Sequence, residues 1–404
     1  MAKRERDLTI EEQLARGPMD LPFLMLVLML LGIGVVMMLS ASYASAYYDP
    51  KVSSPYFYFI RQLIYGLAGV AVLYIVSRIN YQTLRWVSVF VLIAAFVLLV
   101  LVLIPGIGQV HNNARRWMKM FLVAGPEFQP SEVAKLAVIL YFSSRLSKRS
   151  SEKKKKWNKH SVVGKFLGFL DRIGLLELLP YAGILLAIAL RMIREPHMSG
   201  TILIMVAGAA ILFASGIKLY WFFGGGAAVS ALLWFVITNT EYMTERIQIW
   251  RDPWIDPQGE GFQAIQSQLA IGSGGLLGLG LGNSRQKFLY LPEPENDFVF
   301  AIVCEELGFV GAALILILFA LLIIRGYWIA IHARDRFGAL LVVGVITLFA
   351  FQVFFNIGVV TGLLPVTGIS LPFFSYGGTA LMIQLAEMGV VLSVSRQIPA
   401  PKAG

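Results

Sequence analysis

The stretch Leu21 to Ala46, LPFLMLVLMLLGIGVVMMLSASYASA, contains no charged residue. A helix needs about 20 predominantly apolar residues to cross roughly 30 Å of hydrocarbon, so this run is long enough to span a membrane. It also exceeds the apolar core of ~7–15 residues found in a secretory signal. Ala44-Ser45-Ala46 has the small-residue form of a cleavage site, but behind so long a run it is read as part of a retained anchor. The residues before Leu21 mix both charge signs and are read as a tail.

Working outward from that helix, further apolar runs appear at about 62–77, 86–104, 131–145, 178–193, 199–216, 219–237, 298–324, 338–360 and 377–395. The composition of the 404-residue chain agrees: 57% of residues are hydrophobic and 14% charged, with a mean hydropathy of +0.71. That is more apolar surface than one soluble core can hide. A soluble enzyme is therefore excluded, and the expected fold is an all-α polytopic membrane protein of ten transmembrane helices. Its expected parts are an N-terminal tail over 1–20, a membrane domain over 21–395 and a C-terminal tail over 396–404. An even number of spans puts both tails on one side. No fixed-period repeat is visible, so neither a solenoid nor an inverted-repeat transporter finds support.

Charge sets the orientation. The net charge of +10 does not point to nucleic acid, because the densest cations sit in one loop. Residues 145–172 hold ten Lys and Arg against two acids, including Lys153 to Lys156, whereas 238–297 hold four against eight. By the positive-inside rule the first loop is cytoplasmic and the second extracellular. Both termini are then cytoplasmic, with Arg78, Arg85, Arg325, Arg334 and Arg336 on the same side. The basic loop is a topology determinant that also attracts anionic membrane lipid. Arg115, Arg116 and Lys119 break the rule, either by chance or because they meet an anionic group outside. A single Cys304 excludes an intrachain disulfide, and four His with one Cys make no zinc pattern.

The extracellular loop over 238–297 is too long for a mere connector and is expected to be the one large non-helical region. It carries Arg251-Asp252-Pro253-Trp254-Ile255-Asp256-Pro257, then a glycine-rich run from Gly272 to Gly282, then Glu293, Glu295 and Asp297. Asp before Pro readily starts a turn, so Asp252 and Asp256 are read either as turn-formers or as a carboxylate base. A carboxylate beside apolar groups at a membrane surface suits removal of a proton from a sugar hydroxyl. The glycines lack a Walker lysine and a preceding strand, so they are read as a place of close backbone packing rather than a nucleotide cradle.

Ionisable groups inside spans are costly, and they pair or line a cavity. Glu132 and Lys135 lie three apart on one helix face and can pair, with Ser131 as a cap for their span. Arg61 opens the second span, Lys287, Glu293 and Asp297 sit at the mouth of the eighth, Glu305 and Glu306 follow at its top, and Glu387 lies within the tenth. An interior polar cavity is expected. Arg191, Arg194, Glu195 and His197 at the outer end of the fifth span are read as snorkelling to the interface. The uncharged stretch 356–379, rich in Gly, Pro and hydroxyls, reads as irregular backbone at membrane depth, which is tolerated only against protein or a water-filled cavity.

Four motifs in order, PSEVAKL (130–136), RDPWIDPQGEGFQ (251–263), LPEPENDFVFAIVCEELGF (291–309) and NIGVVTGLLPVTGISLPFFSYGG (356–378), resemble the SEDS family of bacterial shape, elongation, division and sporulation proteins, with the division and sporulation branch (FtsW, SpoVE) nearer than the elongation branch (RodA). The resemblance covers nearly the whole chain. It implies a multi-pass protein of the bacterial cytoplasmic membrane that polymerises lipid II into glycan strands for cell division or sporulation septum synthesis. The implied reaction is inverting and releases undecaprenyl pyrophosphate. It also implies an essential Asp in the outer loop, which falls on Asp256, as the base for the acceptor hydroxyl. Arg61, Arg116, Lys135 and Lys287, or a divalent cation (magnesium or manganese), are the candidates to meet the pyrophosphate. Glu132 would hold Lys135, and Glu293 and Asp297 would orient the loop or a metal. A class B penicillin-binding protein and other divisome proteins are the implied partners. Glu195-Pro196-His197 departs from the Gln-Pro-Asp of many relatives, so no acidic role is expected at position 197. A lipid II flippase and a non-catalytic scaffold are the rival readings, since a fold alone does not decide function.

Overall fold

The computed structural model describes residues 17–50, 52, 54–111, 114–119, 127–148, 168–171, 173–195, 198–227, 234 and 241–398. Most of the basic loop with Lys153 to Lys156, His197 and both extreme tails lie outside the described residues. The helices are α1 (Leu21–Tyr48), α2 (Phe57–Arg78), α3 (Tyr81–Leu101), α4 (Pro130–Ser147), α5 (Leu175–Arg194), α6 (Met198–Ala214), α7 (Glu241–Arg251), α8 (Phe262–Gly274), α9 (Val299–His332), α10 (Arg336–Val360) and α11 (Thr379–Ser395). Six of them, α1, α2, α3, α5, α9 and α10, are long and apolar enough to cross a membrane, and α6 and α11 are shorter apolar helices. The expected seventh span is helical where described, at 220–227 and 234.

Local chemistry starts these helices where the sequence offers a cap. The Asp20 carboxylate accepts from Phe23 N at 2.9 Å, Asn80 Oδ1 from Gln82 N at 3.0 Å and Asp335 Oδ1 from Gly338 N at 3.1 Å. Each satisfies an amide that the helix itself leaves without a partner. Ser131 does not cap α4: the turn is opened by Gln129 and Pro130, and the Ser131 hydroxyl is buried without a partner. The most extensive helix pair is α2 against α11, where Gly69 faces Leu385 and Gly389 faces Leu73. Small residues let two helices approach closely where lipid supplies no hydrophobic drive for association.

The end of the bundle that carries the chain termini is bolted shut by polar bonds. Gly17 N donates to Arg396 O at 2.6 Å, and the Arg325 guanidinium takes both oxygens of Asp20, at 2.7 and 3.1 Å. Asp335, between α9 and α10, accepts from Tyr81 Oη at 2.5 Å and Gln82 Nε2 at 2.9 Å, with Arg85 at 3.4 Å. Gln397 Nε2 reaches Asn80 Oδ1 at 2.8 Å. The cations expected on one side at Arg85, Arg325 and Arg336 thus tie loops and termini to one another, Arg336 through the Ser215 carbonyl.

The opposite end differs from expectation in two ways. A three-stranded antiparallel sheet, β1 (Gly108–His111), β2 (Ala114–Lys119) and β3 (Glu127–Phe128), links α3 to α4, with Gly108 opposite Met118 and Met118 opposite Phe128. The expected non-helical loop over 238–297 instead holds α7 and α8, and α8 buries Ile265, Ser267, Ala270 and Gly274.

The glycine run is packing, as its composition suggested. Helix α9 breaks at Gly308 (φ 67°, ψ −171°), and the run fills the break: Leu279 N and Gly280 N donate to the Glu305 and Glu306 carbonyls, while Phe309 N and Val310 N donate to Gly275 O and Leu276 O, all at 2.9–3.1 Å. A Cβ on Gly308 would lie 2.2 Å from Gly278 N. Gly308→Ala is therefore expected to cost on the order of 1–3 kcal/mol through backbone strain alone, read as a lowered unfolding midpoint of the purified protein in detergent. Gly32→Ala, where a Cβ meets nothing within 4 Å inside α1, serves as the control and should be neutral or slightly stabilising.

Candidate functional site

The two aspartates of the outer loop play different local parts. Asp252 caps the short 3-10 turn Pro253–Ile255, its Oδ1 accepting from Trp254 N at 3.1 Å, so its turn-forming role is met in full. Asp256 follows that turn and leads into α8. Its Oδ1 accepts from Gly259 N at 3.1 Å and its Oδ2 from Glu260 N at 2.9 Å, while its carbonyl accepts from Gly261 N at 3.1 Å. A Cβ on Gly259 would sit 2.1 Å from Asp256 Oδ2, so the turn needs glycine there. A carboxylate offers about four acceptor positions, and two amides leave the others open. Asp256 is half-buried and makes no hydrogen bond or ion pair to another side chain among the described residues. It is a fixed carboxylate with free lone pairs.

A second group of acids lies on the segment that follows the glycine run. Gln263 Nε2, in the first turn of α8, donates to Pro292 O at 3.4 Å, which ties the Asp256 turn to the 291–297 segment. Glu293 is exposed, at φ 45°, and accepts from Asn296 Nδ2 at 3.0 Å. Glu295 is buried and accepts from Ser45 Oγ at 3.0 Å, and its carbonyl accepts from Tyr376 N at 2.8 Å. Burial pushes the Asp297 carboxyl up to about 6, with Glu293 and Glu295 adding repulsion against the pull of its own backbone amide. Asn356 Nδ2 holds this segment to the irregular stretch after α10 by donating to Asp297 O at 2.7 Å and Ile369 O at 2.8 Å. Protein donors meet several carbonyls around that stretch: Gln62 Nε2 donates to Ser375 O, Trp250 Nε1 to Gly362 O and Ser267 Oγ to Val360 O.

Glu132 and Lys135 form the pair their spacing suggested, at 2.7 Å and nearly without solvent. Glu387 of α11, also buried, lies within electrostatic reach of both. Two acids around one ammonium make a cluster that a second cationic or anionic group can rebalance, which marks it as more than a strut.

Lys287 has a different place from the one expected. Its ammonium donates to Glu306 Oε1 at 3.1 Å, Ser40 Oγ at 3.1 Å and Gly282 O at 2.6 Å. All three of its protons are used inside the protein, so its role is to hold the loop rather than to meet a ligand. Glu306 also accepts from Ser40 Oγ at 2.6 Å and Ser284 N at 3.2 Å, and the neighbouring Glu305 accepts from Ser284 Oγ and from the amides of Arg285 and Gln286 at 3.0 and 3.3 Å. The acids at the top of α9 thus anchor the outer loop and do not line a cavity.

The remaining cations sit around the rim. Arg61 is exposed, with its guanidinium 4.1 Å over the Phe57 ring. Arg115 Nη1 donates to Leu103 O at 3.4 Å, and Arg116 Nε to Glu195 O at 3.2 Å. Glu195 itself corrects the snorkelling expectation: it is 1% exposed, and neither carboxyl oxygen has a hydrogen-bond partner. Burial pushes it up to about 8 against the pull of Arg116. Sequence reasoning passed over Glu195 and Glu295 because an acid next to a span reads as exposed until a neighbouring element is seen to cover it. Among the described residues no three acidic, histidine or cysteine side chains converge to hold a metal ion. The divalent cation expected above therefore has no cage of its own among them.

The comparisons with known proteins agree with this architecture. A family model for the FtsW/RodA/SpoVE cell cycle proteins matches residues 21–399. Stage V sporulation protein E of Bacillus subtilis (strain 168) is 43% identical over 93% of this chain and 97% of its own. The probable peptidoglycan glycosyltransferase FtsW of Geobacter metallireducens is 39% identical over 94% of this chain and 95% of its own. Among solved structures, a chain from a study of how a peptidoglycan synthase complex coordinates polymerization and crosslinking superposes with a TM-score of 0.73 at 28% identity, covering 94% of this chain and 98% of that one. The rod shape determining protein RodA of Thermus thermophilus shares the fold, with a TM-score of 0.66 at 24% identity over 95% of this chain and 98% of that one.

Two outcomes follow from the geometry. Glu306→Ala leaves the Lys287 ammonium buried and unpaired, a loss of about 3–5 kcal/mol, and should abolish recovery of folded protein, whereas the double change Lys287→Met with Glu306→Leu should restore it. For Glu195 the folded carboxyl titrates at about 8, against about 4.3 when unfolded. The folded state then holds its proton more tightly, so this group's contribution to stability falls as pH rises between those values and is level above them. Glu195→Gln removes that slope, and its unfolding midpoint should gain on the wild type between pH 6 and pH 9.

Proposed function

The chain belongs to the FtsW/RodA/SpoVE family of cell cycle proteins, and from that premise we propose that it is a peptidoglycan glycosyltransferase, polymerising lipid II into glycan strands. It is a multi-pass membrane protein, and the proposal sets it in the bacterial cytoplasmic membrane with both termini inside and the Asp256 loop outside. The observation that carries the mechanism is the Asp256 carboxylate, fixed by two backbone amides yet with open acceptor positions. A base held in one orientation needs no reorganisation when the proton moves.

In the proposed reaction Asp256 takes the proton of the acceptor's 4-hydroxyl as that oxygen attacks the anomeric carbon of the donor strand. The new C–O bond forms on the face opposite the bond to phosphate, which breaks with its electron pair leaving on undecaprenyl pyrophosphate. The configuration is thereby inverted, and the proton ends on Asp256, from which it passes to water. The developing charge on the pyrophosphate calls for fixed cations nearby. Arg61 and Arg116 at the rim and Lys135 in its acidic pair are the groups of this chain suited to it. Magnesium or manganese enters as a companion of the pyrophosphate, since Mg²⁺ is commonly held by one or two carboxylates, waters and substrate phosphates.

The partner expected from resemblance, a class B penicillin-binding protein, is supported by the likeness to a chain of a peptidoglycan synthase complex. The flippase reading differs from the polymerase in tolerating loss of Asp256, which the test below reads.

The test is gel detection of polymer from lipid II and magnesium or manganese with purified protein, with and without the cognate transpeptidase. Asp256→Ala and Asp256→Asn are each expected to lower the rate by about 10²–10⁴-fold while leaving lipid II binding in place. Polymer at the wild-type rate from both would remove Asp256 as the base. Absence of polymer from the wild type with its partner bound would move the reading to the flippase.

A further inference from the structure

The turn over 282–290 walls an open cavity of about 600 Å³ that no step above uses. Asn283, Arg285 and Gln286 face it together with the rings of Phe288 and Tyr290. The wall is rigid, because the amides of residues 284–286 are bonded to the buried carboxylates of Glu305 and Glu306. Both rings are about half exposed, and Leu289 between them is held at φ 66°, a left-handed conformation that non-glycine residues adopt under constraint and that clusters at ligand clamps. Gln286 is half-buried, and the Asn283 carboxamide is oriented by donation from its Nδ2 to Leu279 O at 3.2 Å.

We propose that this cavity is a binding subsite for the glycan strand, a polysaccharide of N-acetylated sugars that carries carboxylates; this rests on the glycosyltransferase reading. Two aromatic faces offer the apolar platforms on which the C–H faces of pyranose rings lie. Two carboxamides supply donors and acceptors for hydroxyl and N-acetyl groups. The Arg285 guanidinium matches a carboxylate in bidentate fashion. An anionic lipid headgroup would engage the arginine and the rings but leave both carboxamides without use. The segment continues into Pro292, whose carbonyl is held by Gln263 of α8, so the subsite and the Asp256 turn share one frame. A strand seated here stays with the enzyme between additions, which makes the cavity a determinant of product length.

The experiment uses the full chain with its transpeptidase partner and two double variants, Arg285→Ala with Tyr290→Ala and Asn283→Ala with Gln286→Ala. A soluble tetrasaccharide of alternating N-acetylglucosamine and N-acetylmuramic acid is titrated by calorimetry, and product lengths are compared on gels at equal lipid II consumption. Each variant is expected to bind the tetrasaccharide about tenfold more weakly, equivalent to about 1.4 kcal/mol, and to shift the product toward short strands. Unfolding midpoints equal to the wild type's separate this effect from misfolding. Unchanged affinity and unchanged length overturn the subsite, as does a loss confined to binding of phosphatidylglycerol vesicles, which would assign the cavity to the membrane surface. Wild type that binds the tetrasaccharide with the expected sensitivity but makes no polymer sinks the glycosyltransferase reading and leaves the subsite standing.

Discussion

Two adjacent carboxylates, Glu305 and Glu306, sit fully buried at the top of a membrane helix, and the outer half of the molecule is arranged around meeting their needs. A buried charge without partners costs more than any ordinary contact returns. The chain answers with a serine from α1, a lysine from the loop, and a series of backbone amides from 284–286. Those bonds oblige the glycine run to lie against α9, and the break at Gly308 follows because an intact helix there would leave the run's amides and carbonyls unpaired. The outer loop is thereby a rigid body, although it lies outside the apolar spans.

At the termini end polar bonds join residues far apart in sequence, such as Asp20 with Arg325 and Gln397 with Asn80. At the loop end polar atoms are left open: two lone-pair positions on Asp256, both oxygens of Glu195, Oε1 of Gln286 and Oε1 of Gln62. Left-handed conformations at Leu289 and Glu293 lie in the same outer loop. Strain and unmet hydrogen bonding are destabilising, and they persist where the surrounding structure overdetermines them.

Much of the candidate site was legible in the residues. The i, i+3 spacing of Glu132 and Lys135 foretold a pair, and Asp252 before Pro253 foretold a turn. The glycine run, lacking a Walker lysine, foretold backbone packing. What could not be read was direction and cover. Lys287 looked like a cation at the mouth of a span, but Ser40, more than two hundred positions earlier, and Glu306 turn it inward. Glu195 looked interfacial, yet the fold covers it and leaves it without a partner. The helices α7 and α8 were missed because an isolated short helix is marginal in water, and α8 forms only where Ile265 and Ala270 find the protein to pack against.

By itself the sequence determined that this is a helical protein of the membrane, through apolar runs long enough to span and too long to hide otherwise. It also determined which loops bear charge, and its ordered motifs pointed to the family whose model matches residues 21–399. These are local or cumulative properties, written in composition and in spacings of a few residues. Only the tertiary structure decided which acids are anchors and which carboxylate stays open, and that a turn over 282–290 walls an open cavity. Such assignments depend on contacts between residues hundreds of positions apart, and whether a polar group is satisfied is a property of its neighbours in space rather than in the chain.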